Sequence, residues 1–314
     1  NVPIGIGVWL AARRVLPADE VVPQQARLDV IGAVLVTSAL MLSVYAIVGG
    51  NEAGWTSTRT LLLLGGGLAL LAAFVVREAR VANPLVPLRL FALRNVSVSQ
   101  FVGVLWAAAM FAWFFLAAIY LQKVLHYSAL EVGLAFIPTS VVMAYCSLRV
   151  SDKLVMRFGI RPPLTVGLLL AAVSLGLFSQ APVGGSFVTD VLPSMVLLGA
   201  GAGIAFNPVL LAAMGDVEPH EAGLASGVVN TSFMMGGALG LAVLVSISTA
   251  RTEGLLADGT APVEALNGGL QAGFAVGAIF ALLAAVVGGV FLRPKPMAGM
   301  DESPDEAAEE PVAA

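Results

Sequence analysis

The sequence predicts an all-α polytopic membrane protein. Long apolar runs, the exclusion of charge from their centres and a composition outside the soluble range carry this reading. The runs cover roughly residues 28–50, 60–76, 97–121, 131–148, 163–180, 190–214, 222–250 and 269–292. A helix rises about 1.5 Å per residue, so about 20 apolar residues cross the hydrocarbon core. None of the 16 basic and 20 acidic residues falls in the middle of a run. Hydrophobic residues make up 58% and charged residues 11%, with a mean hydropathy of +0.92. Soluble domains carry about 25% charge. Repeated spans of this length satisfy their backbone polar groups internally as helices rather than as barrel strands.

Residues 1–12 are apolar but too short to span before Arg13 and Arg14, and they lack the basic flank and cleavage site of a signal peptide. They read as the end of a truncated helix, with a linker to residue 27. Residues 28–76 hold two spans. Residues 77–95, with five basic or acidic side chains, Pro84 and Pro87, read as a linker between membrane blocks. Residues 96–292 hold six spans, in which Pro138 and Pro208 each remove a helix hydrogen bond and predict kinks. Residues 149–161 read as a basic loop, and 250–268 as a long polar loop turned at Asp258-Gly259. The tail, 293–314, is acidic and reads as disordered.

Alternating the spans places thirteen Lys and Arg on one side and three, Arg59, Lys123 and Arg251, on the other. The positive-inside rule makes the richer side cytoplasmic, together with the C-terminus. The six acids of residues 301–310 account for the net charge of −4, and the remainder offers no nucleic-acid footprint. Cys146 is alone, which excludes an internal disulfide, and no metal cluster is spelled out.

Few side chains within the spans offer chemistry. Gly199, Gly201 and Gly203 cluster, and Gly223/Gly227 and Gly236/Gly240 are GxxxG spacings, suited to static packing or to sliding helices. Trp106, Met110, Trp113 and Phe114 share one helical face. That face is either a lipid- or core-facing stripe or one wall of a cavity for hydrophobic compounds. Asn207, beside Pro208, and Asn230, near Phe233, Met234 and Met235, add hydrogen-bonding capacity. Glu131 and Asp190 stand at outer helix ends, and no span buries an acid near its middle. Carboxylates at such ends are expected to keep ordinary pKa values. An enzyme would need a titratable constellation that the spans do not carry.

Several ordered motifs resemble the fourteen-helix drug:proton antiporter branch of the major facilitator superfamily. They are Asn1-Val-Pro-Ile-Gly-Ile6, Leu28-Asp-Val-Ile-Gly32 with Gly54-Trp55, Tyr120-Leu-Gln122, Gly133-Leu-Ala-Phe-Ile-Pro138, and Ala222-Gly-Leu-Ala-Ser-Gly227 with Gly236 and Gly240. The resemblance implies a partial helix, two additional helices and a C-terminal six-helix bundle. It implies proton-coupled efflux of hydrophobic or amphipathic molecules by alternating access, with no cofactor, in the cell membrane. A carrier of amino acids, sugars or lipids in the same superfamily is the alternative, and a non-transport membrane protein comes after it. Trp106, Met110, Trp113, Asn207, Asn230, Met234 and Met235 are the expected cavity residues. Arg157, Gly159 and Arg161, like Gly236 and Gly240, are the expected conformational positions. Met156 stands where the loop motif usually carries an acid, and Asp152 is offset by four. The proton site is expected outside residues 1–314.

Overall fold

The computed structural model describes residues 2–15, 29–81, 84–86, 88–215, 217 and 222–293. Among the described residues, eight helical segments are long and apolar enough to cross a membrane: Val30–Ile47, Thr58–Glu78, Arg94–Val124, Ala129–Phe158, Arg161–Phe178, Phe187–Met214, Gly223–Ala257 and Pro262–Phe291. They coincide in order with the eight apolar runs. Ahead of them, α1 (Val2–Val15) buries none of its residues. The acidic tail and the residues between α1 and Asp29 lie outside the described residues.

The helices α2 (Val30–Ala53) and α3 (Thr58–Glu78) form a hairpin, and α2 leans on α10 (Ala222–Ala257). Ser57 caps α3 and Asp29 caps α2, each accepting from a backbone N–H of the first turn. In the turn of the hairpin, beside Ser57, Trp55 Nε1 donates to Ser246 Oγ of α10 at 3.0 Å.

The remaining helices make one bundle. Here α8 (Arg161–Phe178) packs on α9 (Leu192–Met214) and α11 (Pro262–Phe291), while α4 (Arg94–Ile119) packs on α10 and α11. The core is large and aromatic: Trp113 meets Phe114, Phe136 and Phe178 edge-on at 4.8–5.8 Å, and Phe178 continues to Phe274 at 4.9 Å. Lipid supplies no hydrophobic drive for helix association, so close backbone approach and polar contacts hold the seams. At α9, a Cβ on Gly199 would lie 2.6 Å from Thr139 O, and one on Gly203 would lie 2.8 Å from Cys146 Cβ. On the next face, a Cβ on Gly167 would lie 2.7 Å from Gly201 O. The glycine cluster is therefore a packing device between α9 and its two neighbours.

Each of the two spans with an internal proline has a carbonyl four residues earlier that the helix itself cannot satisfy. Pro208 cannot donate to Ile204 O, and Ser151 Oγ donates to that carbonyl instead at 3.1 Å, fully buried. Ahead of Pro138 the helix breaks at Phe136, between α5 (Ala129–Ala135) and α6 (Ile137–Tyr145). The Phe136 N–H closes the last turn of α5 onto Val132 O at 3.2 Å.

Two loop expectations need correction. Residues 149–161 are not a loop: the span continues through a π-turn (Cys146–Ser151) and α7 (Asp152–Phe158), and turns only at Gly159, whose φ of 77° suits a residue without Cβ. Likewise α10 runs to Ala257 and α11 starts at Pro262, which leaves a four-residue turn around Gly259 at φ 83°. Polar residues such as Thr252 lower hydropathy without forbidding a helix, and Gly269 packs against Ser248 O and Thr252 across the hairpin.

Candidate functional site

A cavity of about 470 Å³ opens between the middle of α4, the last turns of α9 and the first turns of α10. This volume lies in the range of small-molecule pockets, roughly 300–1,000 Å³. Its walls are apolar and aromatic. Trp106 comes from α4, Phe206, Val209 and Leu210 from α9, and Phe233 from α10, with Phe206 and Phe233 edge-on at 6.1 Å. Asn230 and Ser226, exposed on α10, add polar capacity. Among the described lining residues none is ionisable.

The two GxxxG spacings of α10 serve different faces. Thirteen residues at 3.6 per turn rotate the helix by about 220°, so Gly223/Gly227 and Gly236/Gly240 point away from each other. A Cβ at Gly223 or Gly227 would meet nothing within 4 Å, and both line the cavity. A Cβ on Gly236 would lie 2.7 Å from Val104 Cα, and one on Gly240 would collide with Ala108. The second pair thus sets α10 against α4 on either side of Trp106.

Of the residues expected to face a cavity, the structure brings Trp106 and Asn230 together. Trp113 lies inside the ring cluster, and Met110 is half-buried against the core. Asn207 donates from Nδ2 to Ser147 O at 3.1 Å, across the seam with the π-turn. Met234 is exposed on α10 and Met235 is half-buried, neither lining the cavity. Phe206, Val209 and Leu210 were not singled out by sequence, where they read as ordinary apolar residues. Their only signal was position, around the Asn207-Pro208 pair.

The loop motif also acquires partners. Arg161 Nε donates to Gly289 O near the end of α11, and Arg94 Nε donates to Phe291 O at 3.0 Å. Asn95 and Arg293 exchange two bonds at 3.0 and 3.3 Å. Carbonyls at a helix C-terminus lack intrahelical partners and favour cations, so these side chains close the end of α11. Arg157 stacks over Phe158 at 5.3 Å.

Sequence reasoning missed one charged cluster. Arg77, near the end of α3, forms a 2.8 Å ion pair with buried Asp29, through three hydrogen bonds of 2.8–3.0 Å. The guanidinium, then the Gly32 N–H, hold the Asp29 carboxyl below its ordinary range, which corrects the expectation of unperturbed acids at helix ends. Glu78 is buried beside them, one oxygen accepting from Val86 N at 2.8 Å. The two acids at outer helix ends are locally satisfied. Glu131 closes a capping box with Ser128, and Asp190 accepts from Ser186 N at 2.7 Å.

Comparison with known proteins gives a consistent picture. The Major Facilitator Superfamily model matches residues 5–241. A cephamycin export protein of Amycolatopsis lactamdurans is 38% identical over 261 residues, covering 82% of this chain and 54% of the relative. A puromycin resistance protein of Streptomyces alboniger is 34% identical over 299 residues, covering 93% and 59%. A tetracenomycin C resistance and export protein of Streptomyces glaucescens is 30% identical over 259 residues, covering 82% and 48%. The chain therefore spans about half the length of the curated relatives it matches. These matches bear out the resemblance read from the motifs.

Proposed function

The chain belongs to the major facilitator superfamily, and from that membership we propose that it is part of a proton-coupled exporter of hydrophobic or amphipathic small molecules. The cavity carries the reading: it is apolar, aromatic, of ligand size, and offers Asn230 and Ser226 as orienting groups. The relatives' names, which refer to antibiotic export and resistance, support the same class of cargo.

The protein is a multi-pass membrane protein. The count of basic residues supports a cell-membrane orientation with the C-terminus in the cytoplasm. In that orientation the end of α9 and the start of α10 are cytoplasmic, so the cavity loads from the inner face. Alternating access moves one helical bundle against another around such a site. Residues 96–292 supply one bundle and residues 28–76 two additional helices. The second bundle, and with it the titrating residue, belongs to the part of the relatives that this chain does not span.

The test is transport by the full-length protein in proteoliposomes, with tetracenomycin C as probe and an imposed pH gradient. The reading expects saturable flux that an uncoupler abolishes. Saturable flux indifferent to the uncoupler would refute proton coupling, and absence of flux for every antibiotic named among the relatives would refute the cargo class.

A further inference from the structure

A buried indole N–H usually has a hydrogen-bond partner, and an orphaned one calls for an explanation. Trp106 is fully buried, and its Nε1 has no partner among the described residues. The same side chain forms part of the cavity wall. Its backbone is pinned on both sides, because Gly236 brings α10 against Val104 and Gly240 brings it against Ala108. The α4 backbone that carries this ring is therefore seated on both sides, and the indole keeps an unspent donor.

Trp113 provides an internal contrast. It is also fully buried with an unpartnered Nε1, but it sits among Phe114, Phe136 and Phe178 and does not line the cavity. The two tryptophans share a helix and a chemistry and differ in whether they border the cavity.

Resting on the export reading above, we infer that Trp106 is a specificity-determining residue whose indole N–H donates to a carbonyl or other neutral oxygen acceptor on the cargo. The apolar walls then select for a flat hydrophobic body, and Trp106 selects for an oxygen acceptor at one edge of it. A ligand lacking that acceptor leaves the N–H unsatisfied when the cavity fills, and such an omission is costly inside an apolar site. Asn230 differs in kind, since its exposed amide can hydrogen-bond to water when the cavity is empty.

The experiment measures binding of tetracenomycin C to the full-length protein in nanodiscs, for wild type, Trp106→Phe and Trp113→Phe. Phenylalanine keeps an aromatic ring and removes the donor. One neutral hydrogen bond lost should weaken binding roughly fivefold, so the expected result is a Kd about fivefold higher for Trp106→Phe and unchanged for Trp113→Phe. Ultraviolet resonance Raman supplies a readout that a packing role would not move. On saturation with the probe, the indole N–H band of wild type and of Trp113→Phe should shift toward the hydrogen-bonded position. Equal affinity in Trp106→Phe and wild type, or equal losses in both variants, would overturn the inference while leaving the export reading standing. If Trp106→Phe does not fold, the spectrum of Trp113→Phe decides alone, and a band unmoved by saturating probe overturns the assignment. Failure of wild type to bind any of the antibiotics named among the relatives would instead remove the export reading beneath it.

Discussion

Replacing Gly236 by alanine tests whether α10 and α4 are seated by close backbone approach. The new Cβ would stand 2.7 Å from Val104 Cα and 2.8 Å from Val104 O. Ordinary contact begins near 3.4 Å, so the helices must part by about 0.7 Å, and backbone on the α4 side cannot rotate away. At Gly240 the clash is with Ala108 Cα and Cβ and is more severe. Overpacking of this kind costs about 1–3 kcal/mol. Intrinsic helix propensity favours alanine over glycine by about 1 kcal/mol, so it pulls in the opposite direction and isolates packing as the cause of any loss. Gly227 belongs to the other GxxxG spacing of the same helix, and Gly176 lies in α8; a Cβ on either meets nothing within 4 Å. Thermal unfolding of the full-length protein in detergent, followed by intrinsic fluorescence, should show Gly236→Ala and Gly240→Ala melting below wild type. Gly227→Ala and Gly176→Ala should melt at or above it. A Gly236→Ala variant as stable as wild type, or a Gly176→Ala variant as damaged as Gly236→Ala, would refute the packing argument.

Two further outcomes follow from the acids. Because Arg77 lowers the Asp29 pKa, the stabilisation is complete above the ordinary carboxylate range near 4 and is lost as pH falls through the lower folded value. Asp29→Asn should therefore melt below wild type at about pH 7 and lose less on acidification to about pH 3; parallel pH profiles with equal melting at neutral pH would rule the linkage out. Glu131→Gln, which preserves a capping-box side chain, and Asp190→Asn should leave pH-gradient-driven efflux largely intact. Loss of coupled efflux with surviving substrate exchange in either variant would identify a coupling acid within this chain.

Hydropathy made the eight spans legible because crossing a bilayer demands length and the absence of charge, both visible residue by residue. The ordered motifs carried the family. The helix through Phe158 and the short turn after Ala257 were hidden, since hydropathy reports where lipid ends and not where a helix ends. The sequence alone could mark two GxxxG spacings and a glycine cluster. Only the tertiary structure decided that Gly236 and Gly240 seat α10 on α4, while Gly223 and Gly227 leave a cavity open. It likewise decided that Trp106 borders that cavity while Trp113 does not, and that Asp29 meets Arg77 from 48 residues away. The physical reason lies in the solvent. A helix in lipid is apolar on every side, so no periodic pattern distinguishes the face that meets another helix from the face that meets acyl chains. Shape and hydrogen bonding make that distinction, and neither exists until the neighbouring helix is in place.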